Sequence, residues 1–358
     1  VWWYCIFTYR LENMIFNKLF ILFKIGRKIG KSNIINIVSE THKIPLFIKI
    51  FFNFLAFSFS SSNDTKSKSK ENLSESIQEM GTTFIKLGQF LATRPDIIGE
   101  KLSKELESLQ DKLPPFSKKE AEKIIIENLG QSNFDDIIDL SEPIAAASIA
   151  QVHKAKIKED NIIKNVAIKV LRPNIKKIFN DEIDAIMLLA YIIENLITKT
   201  KRLKLIEVVF LFKEITNHEM DLRFEAAAAN EYAENTKNDL GFFVPKIYWN
   251  FTSESVLTLD WVDGVSIREK DLLKERNIET SKIATNLIQH FLRHAVRDGF
   301  FHADMHQGNI FINESSQIVP IDFGIMGRID KLSRRYLAEI LYGFVRRDYK
   351  KVAEVHLL

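Results

Sequence analysis

The sequence predicts a helix-rich α+β protein of two lobes, with a helical extension ahead of the first. Three observations carry this. The chain has 358 residues, 46% hydrophobic and 27% charged, which suits a globular protein with room for two lobes and extra helices. Residues 144–155 and 166–170 have strand texture and flank the polar turn Glu159-Asp160-Asn161, between long stretches of helical texture. Near the C-terminus, an amphipathic helical stretch leads into short apolar runs separated by polar loops. The net charge of +3 is too small to argue for nucleic acid. A single cysteine, Cys5, excludes an intrachain disulfide framework and a cysteine zinc site, and fits a reducing compartment. The 27 phenylalanines, with frequent Ile, Lys and Asn, are what an AT-rich genome produces.

The chain opens Val1-Trp2-Trp3-Tyr4-Cys5 without an initiator methionine, and residues 1–13 read as an upstream extension of a start at Met14. No signal-peptide pattern is present. The apolar run 45–59 is interrupted by Lys49 and Asn53 and falls short of the roughly 20 residues a spanning helix needs. Two alternatives fit that run equally: an interfacial helix, with Lys24, Arg27, Lys28 and Lys31 suited to an anionic surface, or an amphipathic helix packed on the protein. Ser-, Lys- and Asn-rich residues 58–76 read as a linker. A helix is predicted over 76–92, broken by Thr93-Arg94-Pro95-Asp96, and another to about Asp111. After the Leu113-Pro114-Pro115 turn, Ser117 and Glu120 form a capping-box pattern for a helix that Gly130 ends. Helices follow over about 174–200 and 205–236, strands over 243–249 and 256–261, and helices over 280–298 and from 331. The resulting divisions are an N-terminal segment 1–63, a helical extension 64–130, a first lobe with inserted helices 131–262, and a partial second lobe 263–358.

The chemistry centres on Phe300-Phe301-His302-Ala303-Asp304-Met305-His306-Gln307-Gly308-Asn309, followed by Asp322-Phe323-Gly324. An Asp and an Asn on one loop, then the Asp of an Asp-Phe-Gly turn, is how protein kinases arrange base, second metal ligand and first metal ligand. Asp304 stands where the base accepts a hydroxyl proton. Asn309 and Asp322 are hard oxygen ligands suited to Mg²⁺ on ATP phosphates. Each motif alone recurs by chance; the two at this spacing, with apolar runs between, argue against chance. His306 reads as a structural loop histidine.

Val166-Ala167-Ile168-Lys169-Val170 supplies the strand lysine that pairs with α/β phosphates and needs a carboxylate to hold it. Glu182, Glu194 and the segment from Glu219 to Asn230, where Asp221 and Glu225 share a helix face, all offer one, and spacing does not choose among them. Ahead of this strand, a Gly-rich phosphate loop would read GxGxxGxV. Here Ala145, Ala147 and Ala150 occupy the glycine places, Ser148 lies between, and Val152 keeps the last anchor. A Cβ at each place restricts positive φ and close backbone approach to phosphate, so the grip on a nucleotide should differ. Asp260 and Val262, after a strand, read as the hinge whose backbone meets adenine.

With these residues assembled, the chain resembles the UbiB/ADCK atypical kinase-like family of ubiquinone biosynthesis. The resemblance rests on Lys86-Leu87-Gly88-Gln89 (the family's KxGQ motif), the Ala145–Val152 loop with His153, Lys169, Glu219 and Asp221 (its ExD motif), Glu225, His302 to Asn309, and Asp322-Phe323-Gly324; Asp348 to His356 also resembles the family's second lobe. It covers most of residues 76–358. KxGQ together with an alanine-rich loop is close to diagnostic. The resemblance implies a two-lobed protein-kinase-like fold and Glu225 as the partner of Lys169. It implies that Lys86 and Gln89 lie over the active site near Glu219 and Asp221, where a protein substrate would otherwise bind. The implied cofactors are ATP and Mg²⁺, and the implied reaction is ATP hydrolysis without protein phosphorylation in trans. The implied setting is the cytoplasmic face of a bacterial membrane, with a prenylated quinone-precursor lipid or other ubiquinone-biosynthesis proteins as partners and no nucleic acid. No flavin, haem or iron signature supports a hydroxylase.

Relatives of this family usually have a longer second lobe, and bacterial ones end in hydrophobic anchoring helices, so a chain stopping at Leu358 reads as truncated. Gln307 stands where many relatives have proline, with a small effect expected. Rival readings are a nucleotide-gated pseudokinase that binds lipids or partners, favoured by the alanine loop and the KxGQ lid, and an inert fragment of a decayed gene. Small-molecule phosphotransferases share HxDxxxxN but do not explain KxGQ.

Overall fold

The structure is a computed structural model that describes residues 20–30, 34, 73–109, 113–196 and 198–357. The apolar run 45–59, the upstream stretch 1–13 and most of the expected linker lie outside the described residues. In chain order, a helix over 20–30 precedes α1 (Leu73–Met80), α2 (Thr82–Ala92), α3 (Pro95–Ile98), α4 (Glu100–Leu106), α5 (Lys118–Leu129) and α6 (Gln131–Asp135). Strands β1 (Ile137–Ile138), β2 (Pro143–Ala146), β3 (Ala150–Glu159) and β4 (Ile162–Leu171) follow, then α7 (Ile175–Leu196), α8 (Leu205–Glu219) and α9 (Leu222–Thr236). The remainder is β5 (Val256–Asp260), β6 (Gly264–Ser266), α10 (Lys270–Glu275), α11 (Thr280–Arg293), β7 (Phe300–His302), β8 (Ile310–Asn313), β9 (Ile318–Pro320), β10 (Met326–Arg328), α12 (Lys331–Arg346) and α13 (Tyr349–His356). The architecture is α+β, as expected.

Several boundaries have local causes. The capping box forms: Ser117 Oγ accepts from Glu120 N–H at 3.3 Å, and Glu120 Oε2 accepts from Ser117 N–H at 3.3 Å. Asp160 and Asn161 adopt left-handed φ of 49° and 63°, the pair a two-residue hairpin turn requires between β3 and β4. Other boundaries depart from expectation. The helix read as continuous over 76–92 is interrupted at Gly81, with φ of 103°. The helix read over 205–236 is two, because Asp221 caps α9 by accepting from Arg223 N–H at 3.1 Å. The stretch 243–249 forms no strand; nearby pairing is limited to bridges Phe242–Ile318 and Ile247–Leu259. The helix read over 280–298 ends at Arg293 and widens into a π turn, His294–Asp298.

Two compact units divide the chain. The first comprises Val1–Phe116, Ala145–Gln151 and Leu171–Met220. Its core gathers Ile25, Met80, Phe84 and Ala185, and a second cluster gathers Leu73, Leu102, Leu106 and Leu109. Burying each such aliphatic side chain stabilises by roughly 1.5–3 kcal/mol. Gly88 permits the close approach of α2 here, since a Cβ at that position would run into the Leu109 side chain.

The second unit comprises Ser117–Ile144, Val152–Val170 and Asp221–Leu358. Its main sheet runs β1-β3-β4-β5, with β2 also paired to β3. β4 alternates, burying Val166, Ile168 and Val170 completely while Lys169 faces the other way. A three-stranded sheet, β6-β8-β9, and a two-stranded one, β7-β10, complete the unit. Tyr232, Phe242, His294, Phe300 and Phe323 pack edge to face around Tyr232.

Candidate active site

The alternation of β4 puts Lys169 on the face that α9 can reach, and register fixes it opposite Leu257 of β5. Leu222 N–H donates to the Glu254 carbonyl at 3.0 Å, pinning the start of α9 beside the start of β5. Glu225 lies one turn further along. Its two carboxylate oxygens accept from Lys169 Nζ at 2.9 and 2.8 Å. The same ammonium donates to Asp322 Oδ2 at 3.3 Å. Burial alone would favour neutral Lys169, but Asp322 and Glu225 outweigh it and hold the ammonium well above its ordinary value. Burial would raise the Asp322 carboxyl. Lys169 and the Gly324 N–H prevail and keep it below its ordinary value.

The β8–β9 hairpin brings Asn309 and Asp322 to one place. Ile310 pairs with Pro320, and Ile321 N–H donates to the Asn309 carbonyl at 3.0 Å, so Asp322 is the next residue past the hairpin's mouth. Asn309 Nδ2 donates to Asp304 Oδ2 at 3.0 Å. That bond orients the amide and leaves its Oδ1 as the oxygen available to a cation. Two hard oxygen residues, Asn309 and Asp322, beside a charged lysine form a donor set that fits Mg²⁺ shared with phosphates.

His302 couples these pieces. Its Nε2–H donates to the Asp322 carbonyl at 2.6 Å, and its Nδ1 accepts from Asp304 N–H at 3.2 Å. Both bonds require the same neutral tautomer, and burial lowers the ring's pKa, which keeps it neutral. Pairing of His302 with Met326 and the Ala303 N–H to Ile325 carbonyl bond tie this loop to β10. His306 shapes the turn, its Nδ1 accepting from Gly308 N–H at 3.1 Å.

The remaining expected residues lie as follows. Lys86 on α2 forms an ion pair with Glu219 on α8 at 3.1 Å, both largely buried. Gln89 is half-buried on α2. Asp221 caps α9, and its carboxylate also takes Arg223 Nε at 2.9 Å and Nη2 at 2.6 Å. Ala145 lies within β2, Ala147 and Ser148 lie in the turn, Ala150 begins β3 and Val152 is its third residue. None of the three loop alanines takes a positive φ, so their Cβ atoms are unstrained. The carboxylate of Asp260 is occupied by Lys246 N–H at 3.0 Å and Tyr248 O–H at 2.6 Å. Val262 lies just past β5, next to Trp261, whose N–H donates to the Asn165 carbonyl.

A second polar cluster was not foreseen from sequence. Asp239, His290 and His294 are buried, with donor atoms within 4.8 Å of one another. Asp239 is already engaged: Arg297 donates from Nη1 at 2.7 Å and Nη2 at 2.9 Å, and His294 Nε2–H donates at 2.9 Å. His294 Nδ1 in turn accepts from Tyr232 O–H at 2.7 Å. A divalent cation would have to displace a guanidinium, so this network joins α9 to the end of α11 rather than holding metal.

The family model described as ABC1 atypical kinase-like domain matches residues 108–356. The chain belongs to the ABC1 atypical kinase-like family. A protein of Marinobacter nauticus named "probable protein kinase UbiB" is 35% identical over 320 residues, covering 88% of this chain and 58% of that protein. Proteins with the same name from Pseudomonas paraeruginosa and Tolumonas auensis are 32% and 37% identical, covering 94% and 80% of this chain and 63% and 53% of their own lengths. The chain therefore spans roughly half to two thirds of the length of the curated relatives it matches. Among solved structures, Rv3197 of Mycobacterium tuberculosis, determined with erythromycin, aligns with TM-score 0.48 at 23% identity, covering 75% of this chain and 66% of that one. Among the described residues, no helix is long and apolar enough to cross a membrane.

Proposed function

We propose that this chain binds ATP with Mg²⁺ and hydrolyses it in support of ubiquinone biosynthesis at the bacterial cytoplasmic membrane. The observation that carries the reading is Lys169, charged and held 2.8 Å from Glu225 and 3.3 Å from Asp322. A lysine so placed offers a fixed positive charge to phosphate oxygens. Asn309 and Asp322 are the residues that would hold the metal, which when bound neutralises charge building on the transferred phosphoryl group. Asp304, oriented by Asn309 Nδ2, accepts the proton of the attacking water as the water oxygen bonds to the γ-phosphorus; the β–γ bridging bond breaks and ADP leaves. The KxGQ motif supports hydrolysis over phosphorylation of a protein in trans. The prenylated quinone precursors, or proteins that process them, are the partners this reading assigns.

A second reading is a nucleotide-gated binding module with little turnover. The alanine loop favours it, because Ala147 N–H donates to the Ala150 carbonyl at 2.8 Å and closes the turn on itself. Turnover of ATP with and without Mg²⁺ and a prenylated phenol, compared between wild type and Asp322→Asn, tests the first reading. Metal-dependent turnover lost in the variant is expected. Turnover indifferent to the substitution would overturn the assignment, and binding without turnover would favour the module.

A further inference from the structure

The turn of the alanine loop is held by a side chain that no motif points to. Arg172 follows β4 by one residue, and its backbone N–H donates to the Ile149 carbonyl at 2.8 Å, extending the β3–β4 pairing past the strand ends. That register sets its side chain beside the loop. Arg172 Nε donates to the Ala147 carbonyl at 3.1 Å and Nη2 to the same oxygen at 2.8 Å. Nη2 also lies 3.4 Å from the Leu113 carbonyl, and the guanidinium sits 5.8 Å from the Phe116 ring centroid. The loop's other end is fixed as well. Gln151, fully buried, accepts from Phe116 N–H at 2.9 Å and donates to the Phe116 carbonyl at 3.2 Å.

We propose that Arg172 is a positioning residue for nucleotide binding: its fork on the Ala147 carbonyl, with its backbone bond to Ile149, holds the alanine loop in one shape before nucleotide arrives. This rests on the ATP-binding reading. The physical reason is preorganisation. A phosphate loop built on glycine gains its fit from backbone freedom and orders as it binds. A loop of alanines lacks that freedom, so its affinity depends on being held in one arrangement beforehand. Arg suits the task because two donors of a rigid fork converge on one oxygen, whereas an ammonium offers a point charge. Without the fork, the ordering cost moves into the binding step. Arg172 is not among the residues this reading assigns to the metal or to proton transfer, so the chemical step should be spared.

The test compares wild type, Arg172→Met and Arg172→Lys, using the full chain. Hydrogen exchange at residues 145–151 in the nucleotide-free protein should speed up in Arg172→Met. The KM for Mg-ATP and the Kd for Mg-ADP should rise by about fivefold to tenfold, while kcat stays within about twofold. Arg172→Lys should recover only part of the affinity. Unchanged exchange at the loop overturns the positioning role, whatever nucleotide does. Faster exchange with unchanged KM overturns the link to binding, as does a fall in kcat with KM constant. Full recovery by lysine would mean that charge alone acts, and overturns the role of the fork. Failure of wild type to bind nucleotide would instead overturn the proposed function, and the exchange result would remain separately readable.

Discussion

Replacing Glu225 with glutamine, Lys169 with methionine, and both together measures how strongly the central ion pair is coupled. The side chains of Lys169 and Glu225 are 16% and 7% exposed, so the pair is largely withdrawn from water. Exposed pairs couple by about 0.2–1 kcal/mol, whereas stripping one partner from a buried pair costs roughly 3–5 kcal/mol. Glu225→Gln retains the shape and one acceptor oxygen, and Lys169 keeps Asp322, whose side chain is 44% exposed, at 3.3 Å. That residual partner moves the expected loss to about 2–3 kcal/mol, below the full buried-pair range. Lys169→Met leaves a carboxyl that burial already pushes up, so Glu225 can take a proton and limit the damage. The double variant removes both charges and should be scarcely worse than the worse single one, giving a coupling of about 1.5–2 kcal/mol. Urea unfolding at pH 7, followed by tryptophan fluorescence to which Trp249 and Trp261 of the same unit contribute, supplies the four stabilities. A coupling below about 0.5 kcal/mol would refute the claim that these two groups depend on each other.

Asn309→Ala removes the bond that orients Asp304 together with a metal oxygen; ATP turnover should fall by about 100-fold and the Mg²⁺ needed for half-maximal rate should rise, and an unchanged Mg²⁺ titration would count against the metal role. Burial lowers the pKa values of His153, His290, His294 and His302 in the folded chain. The unfolded chain therefore binds more protons below about pH 6.5, so the contribution is complete above that value and lost as pH falls, with Asp239, also lowered, adding its loss at more acidic pH. Thermal melts between pH 8 and pH 5 should show a falling midpoint, and a midpoint that rises on acidification would contradict the sign. Gly299→Ala forces φ of +69° on a residue whose Cβ would meet the Ile329 carbonyl oxygen at 2.6 Å. Left-handed strain and overpacking together should cost roughly 2–4 kcal/mol in urea unfolding, and a loss under about 0.5 kcal/mol would mean the turn relaxes freely.

What the sequence made legible follows from range. Asp304, Asn309 and Asp322 could be grouped because their two motifs stand close together in the chain with only short apolar runs between, and the β8–β9 hairpin then brings two of them together. The partner of Lys169 could not be chosen by spacing, because Glu225 is one of several carboxylates and the choice depends on how α9 is phased by the Leu222–Glu254 bond. The break at Asp221 was hidden for a related reason. Apolar periodicity continues across it, and only the cap geometry shows where one helix stops. Residues 243–249 have strand texture but acquire only isolated bridges, and Pro245 cannot donate to a ladder. Arg172 carries no local signal at all. Its role appears only when the β3–β4 register sets it opposite Ile149.

The β8–β9 hairpin separates two properties that sequence motifs usually merge. Its mouth fixes where Asn309 and Asp322 stand, through the Ile310–Pro320 pair and the Ile321 to Asn309 bond. Its far end is closed independently, by Asn313 N–H to the Gln317 carbonyl and by Asn313 Oδ1 accepting from Gln317 N–H. Residues 314–316 beyond that closure are thus insulated from the mouth, and lengthening a surface turn raises the closure entropy only slowly. The tip can carry a short insert, such as a peptide label or a fluorophore attachment site, with the ligand spacing intact. Motif spacing in this region is a property of the mouth alone, so homologous chains are free to differ in the length of the tip.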